Sequence, residues 1–205
     1  MVAIISKTEK NEYFQTENIT REAFWNLYKP GCDEHFVLHQ LRKSESYIEE
    51  LDFIAAINGE IVGHIISTRA KVIDSLENET EVLCVGPVSV LPVFQNSGIG
   101  TMLIRHSISI AGKFGFKGMI LFGNPDYYHR FGFRNAADFA ITTKNRQNFD
   151  PFMVLELVEN GLDDVKGRFF EDAAFETCEK DVTEFEKRFP FKEKRIPKIE
   201  ISQLQ

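Results

Sequence analysis

The chain has 205 residues, enough for one sizeable core in a single domain or in a domain with an appended tail. A formal charge of −7 argues against a general nucleic-acid surface or an anionic-membrane surface, and it is compatible with a cationic small substrate. The 19 Phe residues read as core filling rather than base stacking, because the basic clusters that accompany stacking are missing.

Taken in chain order, residues 2–6 (VAIIS) read as a first strand. Residues 18–25 read as a helix with a Thr20 cap, running to about Tyr28 and stopped by Lys29-Pro30-Gly31. A short helix is expected over 33–43, with Phe36, His39 and Gln40 at helical spacing. The β-branched runs 51–57 and 61–73 flank Asn58-Gly59, a strong hairpin signal that implies antiparallel neighbours. A polar loop at 74–80 leads to a strand over 81–91. Gly86-Pro87 inside that strand predicts an edge or a bulge, since proline cannot donate to a ladder.

Apolar residues from Ile99 to Phe114 recur at helical spacing, with Gly112 and Gly115 fraying the end. A short strand at 117–122 is followed by a turn or two of helix starting at Asn124-Pro125-Asp126. Closing strands are expected at 139–142 and 152–158. Residues 163–205 are charged, helix-prone around 169–189, and end in the basic FKEKRIPK. With no repeat and no low-complexity linker, the expected organisation is a domain over 1–160 and an extension over 161–205 packed on it.

Cys32, Cys84 and Cys178 are odd in number, widely spaced and outside any CxxC pattern. They read as free thiols of a reducing compartment, not as a zinc site. No run approaches 18 apolar residues, and MVAIISKTEK is too short and too soon charged for a secretory signal. The expected location is therefore cytoplasmic.

Gln95-Asn96-Ser97-Gly98-Ile99-Gly100 follows a strand and opens a helix, an arrangement suited to phosphate because the first helical amides lack partners. A Walker loop fails, since Gly100 is followed by Thr101 and no lysine. A dinucleotide fingerprint fails too, with Leu103 where its third glycine belongs and Met119, Ile120 and Leu121 where an acidic residue is needed. The remaining option is the Q/R-x-x-G-x-G loop of acyl-CoA-dependent N-acetyltransferases. Through GPVSVLPVFQNSGIG (86–100) and DYYHRFGF (126–133), the chain resembles the GNAT superfamily, and within it the YhbS-like branch of N-acetyltransferases. The resemblance spans residues 2–160.

That resemblance implies an α/β fold with a mixed, mostly antiparallel sheet splayed at its centre and flanked by helices. It implies acetyl-CoA as co-substrate, no metal, and direct attack by an amine within a ternary complex. Main-chain groups of Val88, Ser89 and Val90 would meet the pantetheine arm. Amides of Gln95, Asn96, Ser97, Gly98, Ile99, Gly100 and Thr101 would cradle the pyrophosphate. Tyr128 would be the general acid for the departing thiolate, with the Val88 amide at the oxyanion. The family's pantetheine-binding Asn falls on Leu121, so Asn124 is expected to substitute for it. The family's strand Glu falls on Gly86, which leaves a water chain, or one of Glu34, His35, His39 and His64, as the base.

Bland readings compete at several positions. Tyr127 reads as structural, and Arg105, Lys113 and Lys117 read as solvated surface rather than contacts of the CoA 3′-phosphate. His35 and His39 suit helix packing better than metal ligation. Cys84 reads as a buried inert thiol rather than an acyl carrier. The acceptor, a small-molecule or peptide amine, would be met by the early helices, the loop after residue 73 and the tail. A homodimer is left open. The alternatives are a non-catalytic acyl-CoA-binding sensor or an acyltransferase for a longer acyl chain.

Overall fold

Asn58 and Gly59 both take positive φ, 51° and 84°, the geometry of a two-residue hairpin turn whose twist matches its strands. They join β2 (Tyr47–Ile57) to β3 (Glu60–Ile73), antiparallel. β1 (Ile4–Lys7) pairs with the free side of β2, and β4 (Glu79–Val90) with the free side of β3, both antiparallel. Between β3 and β4, Ser67 faces Val85 and Ile65 faces Val88. Ile66 alone therefore opposes both Gly86 and Pro87, the bulge that the proline requires. The bulge is tightly packed: a Cβ on Gly86 would lie 2.7 Å from Ile66 Cγ2.

The computed structural model describes residues 3–197. Val2 of the expected first strand, and residues 198–205 of the extension, lie outside the described residues. Beyond β4 come β5 (Gly118–Phe122), β8 (Phe152–Glu156) and β6 (Arg134–Asn135), so the sheet runs β1-β2-β3-β4-β5-β8-β6. β7 (Ile141–Thr143) and β9 (Gly167–Phe170) pair with each other, and β9 also pairs with β3. β5 meets β8 along all five of its residues. Its parallel pairing with β4 consists of only Leu83–Met119 and Cys84–Ile120. After that, β4 follows β3 and β5 follows β8, and the sheet opens into a wedge.

Helices cover both faces. Phe53, Ala55 and Ile57 share a core with Ile99 and Leu103 of α3 (Ile99–Lys113), whereas Ile54 packs with Ile19 of α1 (Tyr13–Phe24). This is the two-residue alternation of a strand buried on both sides. α2 (Glu34–Leu41) lies within the expected 33–43 and buries Leu38 and Leu41 against Ile66.

Three expectations are corrected. α1 starts before residue 18, after a 3-10 turn at Lys10–Glu12 whose Glu9–Glu12 capping box sets the entry. Thr20 is therefore no cap: it lies in the last turns of α1, where its hydroxyl meets that of Ser89 at 3.0 Å. The helix escaped apolar periodicity because its inward face carries Thr16, Glu17, Thr20 and Arg21. Residues Ala136–Phe139 form a 3-10 turn, so the expected strand at 139–142 begins only at Ile141. The helix expected around 169–189 divides: Phe169 belongs to β9, and helix α5 is limited to Glu179–Glu186.

Candidate active site

The two glycines of the loop serve different physical ends. Gly98 caps α3 at φ 89° with nothing within 4 Å of where a Cβ would stand, so it is needed for backbone conformation. Gly100 is needed for space, since a Cβ there would lie 2.7 Å from the Tyr127 hydroxyl. Asn96 takes φ 60°, one of the few side chains that tolerate it. The first helical bond is donated by Met102 to Gly98 at 3.0 Å. That leaves the amides of Ile99, Gly100 and Thr101 without helical partners, and no acidic residue stands in the first turn to compete for an anion.

Two neighbouring cavities occupy the wedge. One, of about 510 Å³, is bounded by the loop residues Gln95, Asn96, Gly98, Ile99, Gly100 and Thr101, with Val88 and Val90 of β4. The other, of about 530 Å³, lies on the far side of Val88 and Tyr128, between the diverging strands and the α1–α2 region. Val88, Tyr127 and Tyr128 line both cavities, so those residues mark the passage between them.

Tyr128 is set by the short helix α4 (Pro125–Tyr128), which Asn124 caps by accepting the Asp126 amide at 2.9 Å. The ring lies so close to Gly123 that a Cβ there would stand 2.3 Å from Tyr128 Cε2. Burial pushes its phenol above the ordinary value, with Tyr127 and Tyr28 adding to the rise, so it stays protonated as a donor must.

Other expected residues fall in different places. Ser89 is buried with its hydroxyl on Thr20, so only its main chain can face a ligand. Ser97 turns back to donate to the Phe94 carbonyl and does not line the loop cavity. Gln95 donates to the Val90 carbonyl at 3.1 Å, closing the loop on β4. Asn124 lines the second cavity, not the loop cavity.

Among the four candidate bases, only Glu34 lines either of these two cavities. His64 is fully buried between Asp52 (2.8 Å) and Arg42 (3.0 Å). His39 meets Glu17 at 2.7 Å and lies tilted against the Phe185 ring, centroids 4.5 Å apart. His35 lies 3.0 Å from Glu186 and 3.4 Å from Cys32 Sγ. This outline of a Cys-His-Glu triad is inert. Burial pushes the Cys32 thiol up and holds His35 down at about 4, the reverse of an activated pair. Burial likewise raises the Cys84 thiol well above its usual range.

Two lining residues escaped the sequence. Tyr127, read as structural, presents its hydroxyl to Gly100. Arg130 lines the loop cavity with its guanidinium 4.5 Å over the Tyr127 ring, whereas Arg105, Lys113 and Lys117 do not line it. The signal was present in YYHRFGF, a cation two residues before the glycine, but only the fold brings it to the loop. The polar loop after residue 73 does not reach the second cavity; Phe175 of the tail does.

Comparison with known proteins agrees with this geometry. Residues 15–133 match the model of the acetyltransferase (GNAT) family. The chain is 32% identical over 97 residues to the Escherichia coli K12 protein named uncharacterized N-acetyltransferase YjhQ, covering 47% of this chain and 53% of that protein. It is 22% identical over 109 residues to uncharacterized N-acetyltransferase YhbS of the same strain, covering 53% of this chain and 64% of that one. The chain thus spans between half and two thirds of the length of these curated relatives. Among solved structures, E. coli YhbS in complex with CoA superposes with a TM-score of 0.75 at 20% identity, over 84% of this chain and 91% of that one. A Brucella melitensis GNAT family acetyltransferase in complex with acetyl-CoA gives a TM-score of 0.70 at 26% identity, over 85% and 99%. With more than half of its length matched and its sheet opened between β4 and β5 beside a glycine loop, the chain belongs to the acetyltransferase (GNAT) family.

Proposed function

We propose that the protein is an N-acetyltransferase that passes the acetyl group of acetyl-CoA directly to an amine in a ternary complex. One observation carries this reading: two cavities share Val88 and Tyr128, and one of them is floored by the unpartnered amides of the glycine loop. The diphosphate of the co-substrate is assigned to the amides at 95–101, with Arg130 as a nearby cation. The pantetheine arm is assigned to the edge of β4 that β5 leaves open, as an added strand. Its thioester would then arrive at the passage between the cavities.

The amine attacks the thioester carbonyl, and three charges need attention: the nitrogen proton, the oxyanion and the thiolate. The Val88 amide is assigned to the oxyanion. Tyr128 donates to the sulfur as negative charge develops there, a hydrogen bond that strengthens through the transition state. Cys84, buried and with its thiol raised by that burial, takes no acyl group, in keeping with direct transfer. The cytoplasm is the proposed compartment.

A second reading, an acyl-CoA-binding sensor without turnover, draws on position 86. The Cβ contact with Ile66 leaves no room there for the family's carboxylate. Titration calorimetry with acetyl-CoA, followed by thiol release in the presence of an amine panel, separates the readings. Micromolar binding with amine-dependent thiol release supports the transferase, and binding without release supports the sensor. Absence of binding sinks both. Gly100→Ala, which sets a methyl against the Tyr127 hydroxyl, is expected to weaken acetyl-CoA binding by about tenfold or more while leaving the fold intact.

A further inference from the structure

The second cavity has a distinctive lining. Phe24 and Tyr28 come from the end of α1 and the loop after it, Val37 from α2, Phe122 from β5 and Phe175 from the tail. Among the described residues that line it, Glu34 is the only one with a charge at neutral pH. This carboxylate is fixed at the start of α2, where its Oε2 accepts the Asp33 amide at 3.1 Å. Asp33 is itself held by an ion pair with Lys29 and by the Thr177 hydroxyl at 2.7 Å, which ties the helix start to the tail.

We propose that this cavity receives a small primary amine on an apolar, uncharged body, an alkylamine or arylalkylamine, whose nitrogen meets the Glu34 carboxylate and gives up its proton there. The assignment rests on the transferase reading and names its acceptor class. Aromatic walls reward an apolar body. No lining cation is available to an acceptor carboxylate, which would be desolvated near Glu34 and repelled by it. At about 530 Å³, shared with the acetyl end of the donor, the space suits a body of a few carbons or one ring rather than a folded polypeptide.

The step balances. Nitrogen bonds to the thioester carbon, the carbon–sulfur bond breaks, the nitrogen proton passes to Glu34, and the sulfur takes the Tyr128 proton. Return of the Glu34 proton to the phenolate through solvent completes an amide and a free thiol. The titratable and charged groups that face Glu34 are Tyr28 after α1, Cys32, Asp33 and Lys29 along its own segment, Cys84 from β4, and Tyr127 and Tyr128 across the cavity. Burial pushes the Glu34 carboxyl up to about 7, with Asp33 adding to it against the backbone amides and Lys29. The group therefore changes charge in the neutral range, where a general base works best.

The test uses the full chain with acetyl-CoA and three acceptors: 2-phenylethylamine, phenylalanine, and a tetrapeptide with N-terminal phenylalanine. The expected kcat/KM for 2-phenylethylamine exceeds the others by about 30-fold or more, as a desolvated, unpaired carboxylate or an oversized chain should cost. Glu34→Gln is expected to lower kcat by about 100-fold and to remove the ascending limb of the pH–rate profile near 7. Its affinity for acetyl-CoA in calorimetry should stay unchanged, and Glu34→Asp should recover part of the rate. Equal use of phenylalanine or the peptide, no acetylation of any of the three, or a wild-type pH profile in Glu34→Gln overturns the proposal. Failure of the wild type to bind acetyl-CoA instead overturns the transferase reading beneath it.

Discussion

A hydroxyl against a glycine, and a ring against another, set the geometry around which the site is organised. Gly100 admits Tyr127 and Gly123 admits Tyr128, so two adjacent tyrosines meet edge to face, with centroids 5.1 Å apart, at the passage between the cavities. Removing only the Tyr128 hydroxyl leaves the ring's contacts with Phe131 and Phe133 in place. Tyr128→Phe is accordingly expected to keep wild-type thermal stability and acetyl-CoA affinity. Its kcat should fall by about 100-fold or more, the usual contribution of a positioned acid. Steady-state thiol release on the best amine checks this, and full turnover in the variant would remove Tyr128 from its assigned role. In sequence, Tyr128 could be singled out because its spacing to Gly132-Phe133 is a motif, while Tyr127 beside it had no motif to mark it. What distinguishes Tyr127 is a contact with a residue 27 positions earlier in the chain, which no local pattern encodes.

At the scale of elements, the bulge in β4 decides both the wedge and what can stand in it. Proline withholds a donor, and two residues of β4 face one residue of β3. Gly86 then sits against Ile66 and Leu41, with 2.7 and 3.2 Å left for a Cβ. Gly86→Ala is expected to cost about 1–3 kcal/mol, the range for overpacking a filled core. Urea denaturation checks the figure, and an unchanged midpoint would show that Ile66 relaxes freely. The same crowding explains why a carboxylate reaches this cavity from α2 instead of from the strand. β1 to β5, β8, the hairpin turn and α3 were legible because their apolar periods are regular and their turns carry Asn-Gly or glycine, whereas the short β6 and β9 were not. α1 was misplaced because its buried face is polar, and that face is explained only by partners far away, Ser89 for Thr20 and Glu186 for Arg21.

Over the whole molecule, the tail acts as a clasp across α1 and α2. Arg21 is only 2% exposed, and its guanidinium meets Glu186, the Pro190 carbonyl at 2.9 Å and the Trp25 ring at 4.3 Å. Glu186→Gln leaves that buried cation with only the longer 3.5 Å contact to the Glu22 carboxylate and is expected to cost about 2–3 kcal/mol, less than a fully buried pair because Glu186 is partly exposed. Chemical denaturation gives the value, and a loss below measurement would show that Glu22, Pro190 and Trp25 suffice. The same region sets an acid response. His35, held down at about 4, destabilises the fold as pH falls from 6.5, since the unfolded chain binds the proton that the folded one refuses. Glu34, raised to about 7, acts oppositely: the folded state keeps a proton that the unfolded chain loses above 4.5, so stability falls as pH rises toward 7. The two offset each other between about 4.5 and 6.5. Glu34→Gln should expose the histidine, giving unfolding free energies from urea titration that drop with acid by up to about 1.4 kcal/mol per pH unit. A pH-independent difference from wild type would overturn this linkage.

Local chemistry carried much of this protein. The Asn58-Gly59 hairpin, the broken ladder at Gly86-Pro87, the glycine loop opening α3 and the Tyr128 motif each follow from what a few adjacent residues permit their own backbone to do. Tertiary structure alone decided the rest. It made Phe169 a strand residue by pairing β9 with β3, and it set three histidines against carboxylates away from the cavities. It also left Glu34, among the described residues, as the lone charge in an aromatic cavity and brought Arg130 and Tyr127 to the loop. The reason is physical. A turn or a helix start is fixed by steric and hydrogen-bonding rules acting over three or four residues, whereas a cavity's charge and shape are sums over side chains that share no stretch of chain.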